Sequence, residues 1–248
     1  MSPALTAALA NPEQAAEGWL AKYRDLSAKD LLRRFLVDEM PGRIAMVSSF
    51  GPESAVLLHM IADIDKSTPI IFINTLKLFG ETLRYRDQLV RELGLTDLRE
   101  VQPEPLRIEA EDPEGMLFLS NPDRCCHIRK TLPLQRALQP FAGWITGRKR
   151  YQASTRSTLD PIEHREGKFK INPLADWTQA DVESDMEAHE LPHHPLEADG
   201  YPSIGCMPCT DRVRPGEDAR AGRWRGRDKV ECGIHLPSNI GPSVADGI

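Results

Sequence analysis

The chain of 248 residues is 40% hydrophobic and 27% charged, which is typical of a soluble globular protein, and its formal net charge is −6. This acidic balance argues against binding to nucleic acid or to a membrane surface, so we expect neither partner. No apolar run approaches the roughly 20 residues of a spanning helix. The N-terminus lacks the positive charge of a signal peptide. We therefore expect a cytoplasmic protein.

Apolar and polar residues divide the chain into three predicted parts. Residues 1–40 read as a helical N-terminal segment, in which Ser27 and Asp30 form a capping box. In residues 41–210, strands and helices alternate, which predicts an α/β domain with an open, twisted, parallel sheet flanked by helices. Residues 211–248 are polar and rich in arginine, and we expect a mobile C-terminal tail.

The predicted elements follow in chain order. Short apolar strands are expected at 44–47 and 70–73, and weaker strands at 98–101 and 144–146. A helix follows the first strand, with Pro52 in its first turn. Further helices are expected at 81–93, ending at Gly94, at 129–138, and at 179–190, where Thr178 and Asp181 cap the start.

A turn containing serine and glycine links the first strand to the first domain helix. It presents backbone N–H groups and a helix N-terminus to an anion. The turn is neither a Walker A loop nor a G-x-G-x-x-G fingerprint, so an ordinary strand–helix connection is the alternative. Its place at the carboxyl end of a parallel strand favours a ligand site. The residues concerned are Ser48, Ser49, Phe50, Gly51 and Ser54.

A basic loop follows the fourth predicted strand. Four cations lie within the ten residues 147–156 of an otherwise acidic protein. Guanidinium groups bind phosphate and sulfate oxygens, often through two hydrogen bonds at once. A solvated run of charges is the alternative interpretation.

Five cysteines in a reducing compartment suggest a metal site or redox chemistry. Adjacent Cys125 and Cys126 would point about 100° apart on a helix, which suits neighbouring irons of a cluster better than one zinc ion. Cys206 and Cys209 add a C-x-x-C pair. Zinc remains the rival on spacing alone, because both metals use C-x-x-C. Cys232 is the fifth cysteine and lies near the C-terminus.

Together these stretches resemble the assimilatory sulfonucleotide reductases, the APS and PAPS reductases, and most of all the iron–sulfur APS reductases. That family shares the nucleotide-binding fold of the PP-loop ATP pyrophosphatases, also called adenine nucleotide alpha-hydrolase-like. Residues 48–59 resemble its modified PP-loop, 125–134 and 200–210 its two cluster motifs, and 231–235 its Glu-Cys-Gly-Leu-His signature. Residues 144–156 resemble its arginine-rich loop, with Lys149 where Arg is usual and Ala153 where Ser is usual.

The resemblance implies roles for individual residues. It implies a [4Fe-4S] cluster held by Cys125, Cys126, Cys206 and Cys209. It implies that Cys232 is the nucleophile, that His235 positions or deprotonates it, and that Lys130 links the cluster electrostatically to the substrate. The implied substrate-binding residues are Ser48, Ser49, Phe50, Gly51, Ser54, Gly147, Lys149, Arg150, Gln152, Arg156, Arg220 and Arg223.

The function that the resemblance implies is an APS reductase of sulfate assimilation. It would form an S-sulfocysteine and release sulfite with thioredoxin or a glutaredoxin-like protein as reductant. We expect a homo-oligomer. Three alternatives stay open: a PAPS reductase or an enzyme of dual specificity, a PP-loop enzyme of tRNA thiolation, and a non-enzymatic zinc-binding module.

Overall fold

The computed structural model describes residues 3–227, 229, 231, 233 and 234. Six strands form one sheet, in the order β3-β2-β1-β4-β6-β5. Their bounds are β1 Ile44–Ser48, β2 Ile70–Ile73, β3 Leu98–Val101, β4 Gly143–Ile145, β5 Ile162–Arg165 and β6 Lys168–Ile171. All neighbours pair in parallel except β5 and β6, which are antiparallel. The predicted fold class is confirmed, with this antiparallel edge as a correction.

Helices flank the sheet along the described chain. They are α1 Pro3–Ala10, α2 Pro12–Tyr23, α3 Ala28–Arg33, α4 Ser54–Ile64, α5 Gly80–Leu93, α6 Pro105–Glu111, α7 Leu117–Ser120, α8 Pro122–Cys126, α9 Leu132–Leu138 and α10 Gln179–Ala188. π-Helical turns at Arg34–Glu39 and His127–Thr131 extend α3 and join α8 to α9. Short 3₁₀ turns lie at Arg150–Gln152, Ser154–Arg156 and Met207–Cys209. Within the described residues, no helix is long and apolar enough to cross a membrane.

Several helix ends follow the chemistry that the sequence predicts. The Ser27 side chain accepts a hydrogen bond from the Asp30 N–H, and Thr178 forms a reciprocal capping box with Asp181. Gly94 ends α5 in the left-handed conformation at φ 67°. The prediction for Pro52 is wrong, because α4 begins only at Ser54 and Pro52 lies in the preceding turn.

Alternate residues of the central strands face two separate cores. Met46 and Phe72 belong to a large core with α4, α5 and the N-terminal helices, while Ala45 and Ile71 pack with α9 on the other face. Trp19 of α2 lies edge-on against Phe169 of β6, with ring centroids 4.8 Å apart. The N-terminal helices therefore share the core of the sheet.

The β5–β6 hairpin is not among the elements that the sequence predicts. The β5–β6 hairpin is closed by Glu166 at φ 55° and Gly167 at φ 70°, as a two-residue turn of the type I′ class requires.

Beyond Thr210 the described residues lie against the domain: the Trp224 N–H donates to the Cys209 carbonyl at 3.1 Å, and the Trp224 side chain is buried. That residues 211–248 form a mobile tail stays a prediction.

The segment after α10 is fastened to α5 by a buried histidine. His194 Nδ1 accepts the Leu196 N–H at 3.2 Å, so Nε2 carries the proton and donates to Thr82 Oγ1 at 3.1 Å. The Tyr85 ring packs edge-on at 4.9 Å between centroids. Burial lowers the pKa of His194 to about 4. The folded protein therefore keeps this imidazole neutral.

The lowered pKa of His194 predicts that the protein loses stability in mild acid. In the unfolded chain it takes up a proton near pH 6.5, whereas the folded chain resists protonation until about pH 4. The contribution of the neutral His194 to the free energy of unfolding is about 3 kcal/mol. It is complete above pH 6.5 and is lost as the pH falls towards 4. In denaturant unfolding between pH 4 and 6.5, the free energy of unfolding of His194→Gln should rise less steeply with pH than that of the wild type. The exposed neighbour variant His193→Gln should follow the wild type, and equal slopes in all three proteins would contradict the assignment.

Candidate functional site

A cavity of about 410 Å³ opens at the carboxyl ends of β1 and β4. This is the edge at which open α/β sheets bind ligands. Its walls come from the loop after β1, the loop after β4, and chain segments beyond Pro202. Of the predicted substrate-binding and catalytic residues, those that line it are Ser48, Ser49, Gly51, Ser54, Lys130, Gly147, Lys149, Gln152, Arg156, Arg220 and Arg223.

Phe50 and Arg150 are not among the residues that line the cavity, and their predicted part in substrate binding stays a prediction. Phe50 adopts φ 49°, which turns its ring into the core against Phe72, with centroids 5.4 Å apart. Arg150 donates from Nε to the Leu159 carbonyl at 2.8 Å and pairs with Asp176. Both side chains therefore fix the loops that form the cavity and do not line it.

Glu53 joins the two loops at the cavity. Its carboxylate accepts from Lys149 Nζ at 2.6 Å, Tyr151 Oη at 2.7 Å and Gln152 Nε2 at 2.7 Å. Burial opposes the charge, but Lys149 and the hydrogen bonds outweigh it and hold the pKa of Glu53 below its usual range. The Lys149 side chain is only 2% exposed. Its ammonium group is therefore paired with the protein, in the wall of the cavity.

Glu231 holds two of the predicted substrate-binding arginines. Arg156 donates from Nε and Nη2 to its two carboxylate oxygens at 2.9 and 3.1 Å, and Arg220 Nη2 lies 3.4 Å away. Glu231 and Ile234 both line the cavity and stand on either side of Cys232 in the sequence. Cys232 and His235 lie outside the described residues, so their roles stay predictions.

The predicted set omits other residues of the cavity wall. Arg148 lines the cavity and pairs with Glu163 of β5 at 2.7 Å. It belongs to the same basic loop as Lys149, which was the available signal. Glu53 and Glu231 stand within the recognised motifs, yet the sequence does not reveal which cations they hold.

The four cysteines of the predicted metal site lie together. Cys125 and Cys126 end α8, whereas Cys206 precedes and Cys209 ends the 3₁₀ turn Met207–Cys209. The Met207 N–H of this turn donates to the Lys77 carbonyl at 2.8 Å. None of the four forms a disulfide bond with another described residue. A second, small cavity is lined by Cys125, Cys126, Cys206 and Cys209, with Lys77, Arg129 and Lys130.

Charge and spacing decide what these sulfurs can hold. Burial, and then the proximity of Cys126, raises the pKa of Cys125 to about 12, so several thiolates here need a positive centre. Burial also opposes the Cys206 thiolate, but Lys130 and Thr75 lower its pKa. The residues around the small cavity therefore fit a metal group held by thiolates. In the described part of the chain, these sulfurs form no group of three within 4.8 Å of one another.

A buried ion pair supports the helix that carries the first two cysteines. Arg129 donates to Asp112 at 2.6 and 3.1 Å and to the Thr75 carbonyl at 3.0 Å. The two charged side chains are 5% and 2% exposed. Lys130, the next residue, lines both cavities. The pair therefore fixes the backbone between the two sites.

Removal of Asp112 should destabilise the fold strongly. Asp112→Ala would leave the Arg129 guanidinium buried and unpaired, at a cost of about 3–5 kcal/mol in unfolding free energy. The control is Asp38→Ala, which breaks an exposed pair with Arg34 at 2.9 Å and should cost less than about 1 kcal/mol. Urea denaturation measures both. Similar small losses would show that the buried pair is not a support.

Comparison with known proteins identifies the relatives of this chain. Residues 43–212 match the family model of the phosphoadenosine phosphosulfate reductase domain. An adenosine 5'-phosphosulfate reductase from Mesorhizobium japonicum is 51% identical over 93% of this chain and 91% of its own length. A phosphoadenosine 5'-phosphosulfate reductase from Gloeobacter violaceus is 40% identical over 78% of this chain and 82% of its own. The phosphate complex of the Candida auris phosphoadenylyl-sulfate reductase superposes with a TM-score of 0.69 at 27% identity, covering 81% of this chain and 97% of that one.

Proposed function

The chain belongs to the phosphoadenosine phosphosulfate reductase domain family, and we propose that it reduces adenosine 5'-phosphosulfate (APS) to sulfite and AMP in sulfate assimilation. The observation that carries this proposal is the pairing of two sites. A cavity rich in cations adjoins a set of four convergent thiols, and Lys130 lines both. The relative that is 51% identical bears the name of an APS reductase.

APS carries negative charge on its phosphate and its sulfate. In the proposal, its adenosine lies by the Ser48–Ser54 loop, at the edge of the sheet where open α/β folds bind ligands. Its phosphosulfate lies among the cations of the cavity wall, which balance the charge that develops on the leaving group. Those cations are Lys130, Arg148, Arg156, Arg220 and Arg223.

The proposed chemistry has two steps, both at Cys232. The Cys232 thiolate attacks the sulfate sulfur, the bond from that sulfur to the phosphate oxygen breaks, and AMP leaves with the electron pair. A thiolate of thioredoxin or a similar protein then attacks Cys232 Sγ, and sulfite leaves with the electron pair. The second thiol of the reductant completes its disulfide and restores Cys232. His235 would position or deprotonate the nucleophile, which we place on a mobile tail that closes on the substrate and opens to the reductant.

Glu231 connects substrate binding to this tail. Its carboxylate occupies Arg156 and Arg220, two of the arginines that the phosphosulfate would need. An incoming anion would compete with it for the same donors. Because Glu231 precedes Cys232, displacement of that carboxylate would move the nucleophile's own segment when substrate arrives.

Cys125, Cys126, Cys206 and Cys209 would hold a [4Fe-4S] cluster. The adjacent pair Cys125 and Cys126, whose sulfurs point about 100° apart on a helix, favours this choice over a single zinc ion. When bound, the cluster would supply structural support and an electrostatic field and would not transfer electrons in the reaction. Lys130 would stand between it and the substrate oxygens.

PAPS, which carries an additional 3'-phosphate, is the second candidate substrate. The Gloeobacter violaceus relative and the Candida auris structure both bear the name of PAPS reductases. An enzyme of dual specificity would also agree with these names. The cytoplasmic location, the homo-oligomeric state and the identity of the reductant stay predictions.

Sulfite release from the two nucleotides tests the function. With thioredoxin as reductant, the wild type should release sulfite from APS faster than from PAPS. Cys232→Ser should abolish release with either nucleotide, because no thiolate remains to take the sulfonate, while AMP binding by calorimetry stays at the wild-type affinity. Turnover by Cys232→Ser would refute the nucleophile, and faster turnover of PAPS would favour the second candidate.

Metal analysis tests the cluster separately. Protein purified without oxygen should contain about four irons and four acid-labile sulfides per chain. Cys206→Ser should lose most of both, whereas Cys232→Ser is the matched control and should retain them. Zinc in place of iron in the wild type, or equal iron in the two variants, would contradict the assignment.

A further inference from the structure

Two helices bring matched histidine–carboxylate pairs face to face, away from the thiols. On α4, His59 Nε2 lies 3.7 Å from Asp63 Oδ1. On α10 and its cap, His189 Nε2 lies 3.7 Å from Asp185 Oδ1. Each pair has the four-residue spacing that places two side chains on one helical face. The His59 and His189 rings meet across the interface, with centroids 4.3 Å apart.

The group is compact enough for one ion. One ligand atom each from His59, Asp185 and His189 lies within 4.8 Å of the others. Two of its polar atoms, His59 Nδ1 and Asp185 Oδ2, are buried and have no hydrogen-bond partner within the protein. Buried polar atoms without partners are costly and uncommon in folded proteins. A bound cation would remove that cost for the carboxylate.

We propose that His59, Asp185 and His189 bind a divalent transition-metal ion, best zinc, in a site distinct from the cysteine site. Imidazole and carboxylate ligands suit zinc, which takes three protein ligands readily and completes its shell with water or a further carboxylate. Asp63 is the nearby carboxylate, and it is also bonded to Lys29 at 2.7 Å.

A second histidine–carboxylate pair in the same chain shows that spacing alone does not make such a site. His193 Nδ1 lies 3.2 Å from Glu197, four residues on, but these side chains are 64% and 41% exposed. The described residues that form a compact ligand group do not include them. His193 is therefore a matched control.

The ion would join two helices that contribute to the large cavity. Ser54 at the start of α4 and Gln179 at the start of α10 both line it. His59 follows Ser54 by about 7.5 Å of helical rise, so the ion would stand behind the cavity wall and not within it. Its role would be to hold the two helix starts in place.

Zinc titration of the iron-loaded protein tests the proposal. In calorimetry without oxygen, wild type and His193→Ala should each bind one zinc ion per chain. The midpoint temperature of their thermal unfolding should rise with added zinc. His189→Ala should lack both the uptake and the shift. If His59→Ala fails to fold, His189→Ala still decides, because His189 follows the end of its helix and is 45% exposed. Equal uptake by His189→Ala and wild type would overturn the site.

X-ray absorption spectroscopy at the zinc edge distinguishes zinc at this site from zinc bound non-specifically to thiols. The iron of the protein does not contribute at that edge. Zinc on imidazole and carboxylate should show a single nitrogen and oxygen shell at about 2.0–2.1 Å. A sulfur shell at about 2.3 Å would mean that the ion sits on cysteine and would reject the proposal. Because the readout is zinc ligation, its failure would leave the reductase proposal standing.

Discussion

Carboxylates from distant segments hold the cations of the large cavity, and its walls depend on this pairing. A cation removed from water needs a partner, and the partners here come from another loop, an edge strand and the C-terminal segment. The pairs are Glu53 with Lys149, Glu163 with Arg148, and Glu231 with Arg156. A protein of net charge −6 can thus gather these three cations at one edge of its sheet, each with a carboxylate partner. A substrate anion must then compete with a carboxylate or use the remaining donors.

The sequence predicts the central strands β1 and β2 well because they are buried and almost entirely apolar. The bounds of β2 and β3 agree with the prediction, and β1 and β4 differ by one residue at their ends. The β5–β6 hairpin was not predicted, because the sequence of β6 resembles a charged surface segment. Its Lys170 is nevertheless buried, with Nζ 5.4 Å from the centre of the Trp144 ring and 3.8 Å from a Glu166 carboxylate oxygen. Such compensation arises only in the folded chain.

Motifs predict which loops meet at the site, because the carboxyl ends of parallel strands share one edge. They do not predict where each side chain points. Phe50 stands in the anion-binding turn, yet its left-handed backbone turns the ring into the core. Arg150 stands in the basic loop, yet its Nε donates to the Leu159 carbonyl and not into the cavity. Direction depends on backbone dihedral angles and on distant partners, neither of which a motif contains.

The histidine site shows the same limit at longer range. Helical spacing alone makes His59 a neighbour of Asp63 and Asp185 a neighbour of His189, but each pair by itself is an ordinary surface feature. Only the packing of α4 on α10 brings the two faces together. The donor chemistry of the two sites then differs, since one offers thiolates, which suit iron–sulfur clusters and zinc, and the other offers imidazole and carboxylate groups. In the two proposals, one inorganic group would lie beside the reaction and the other behind the helices that frame the cavity.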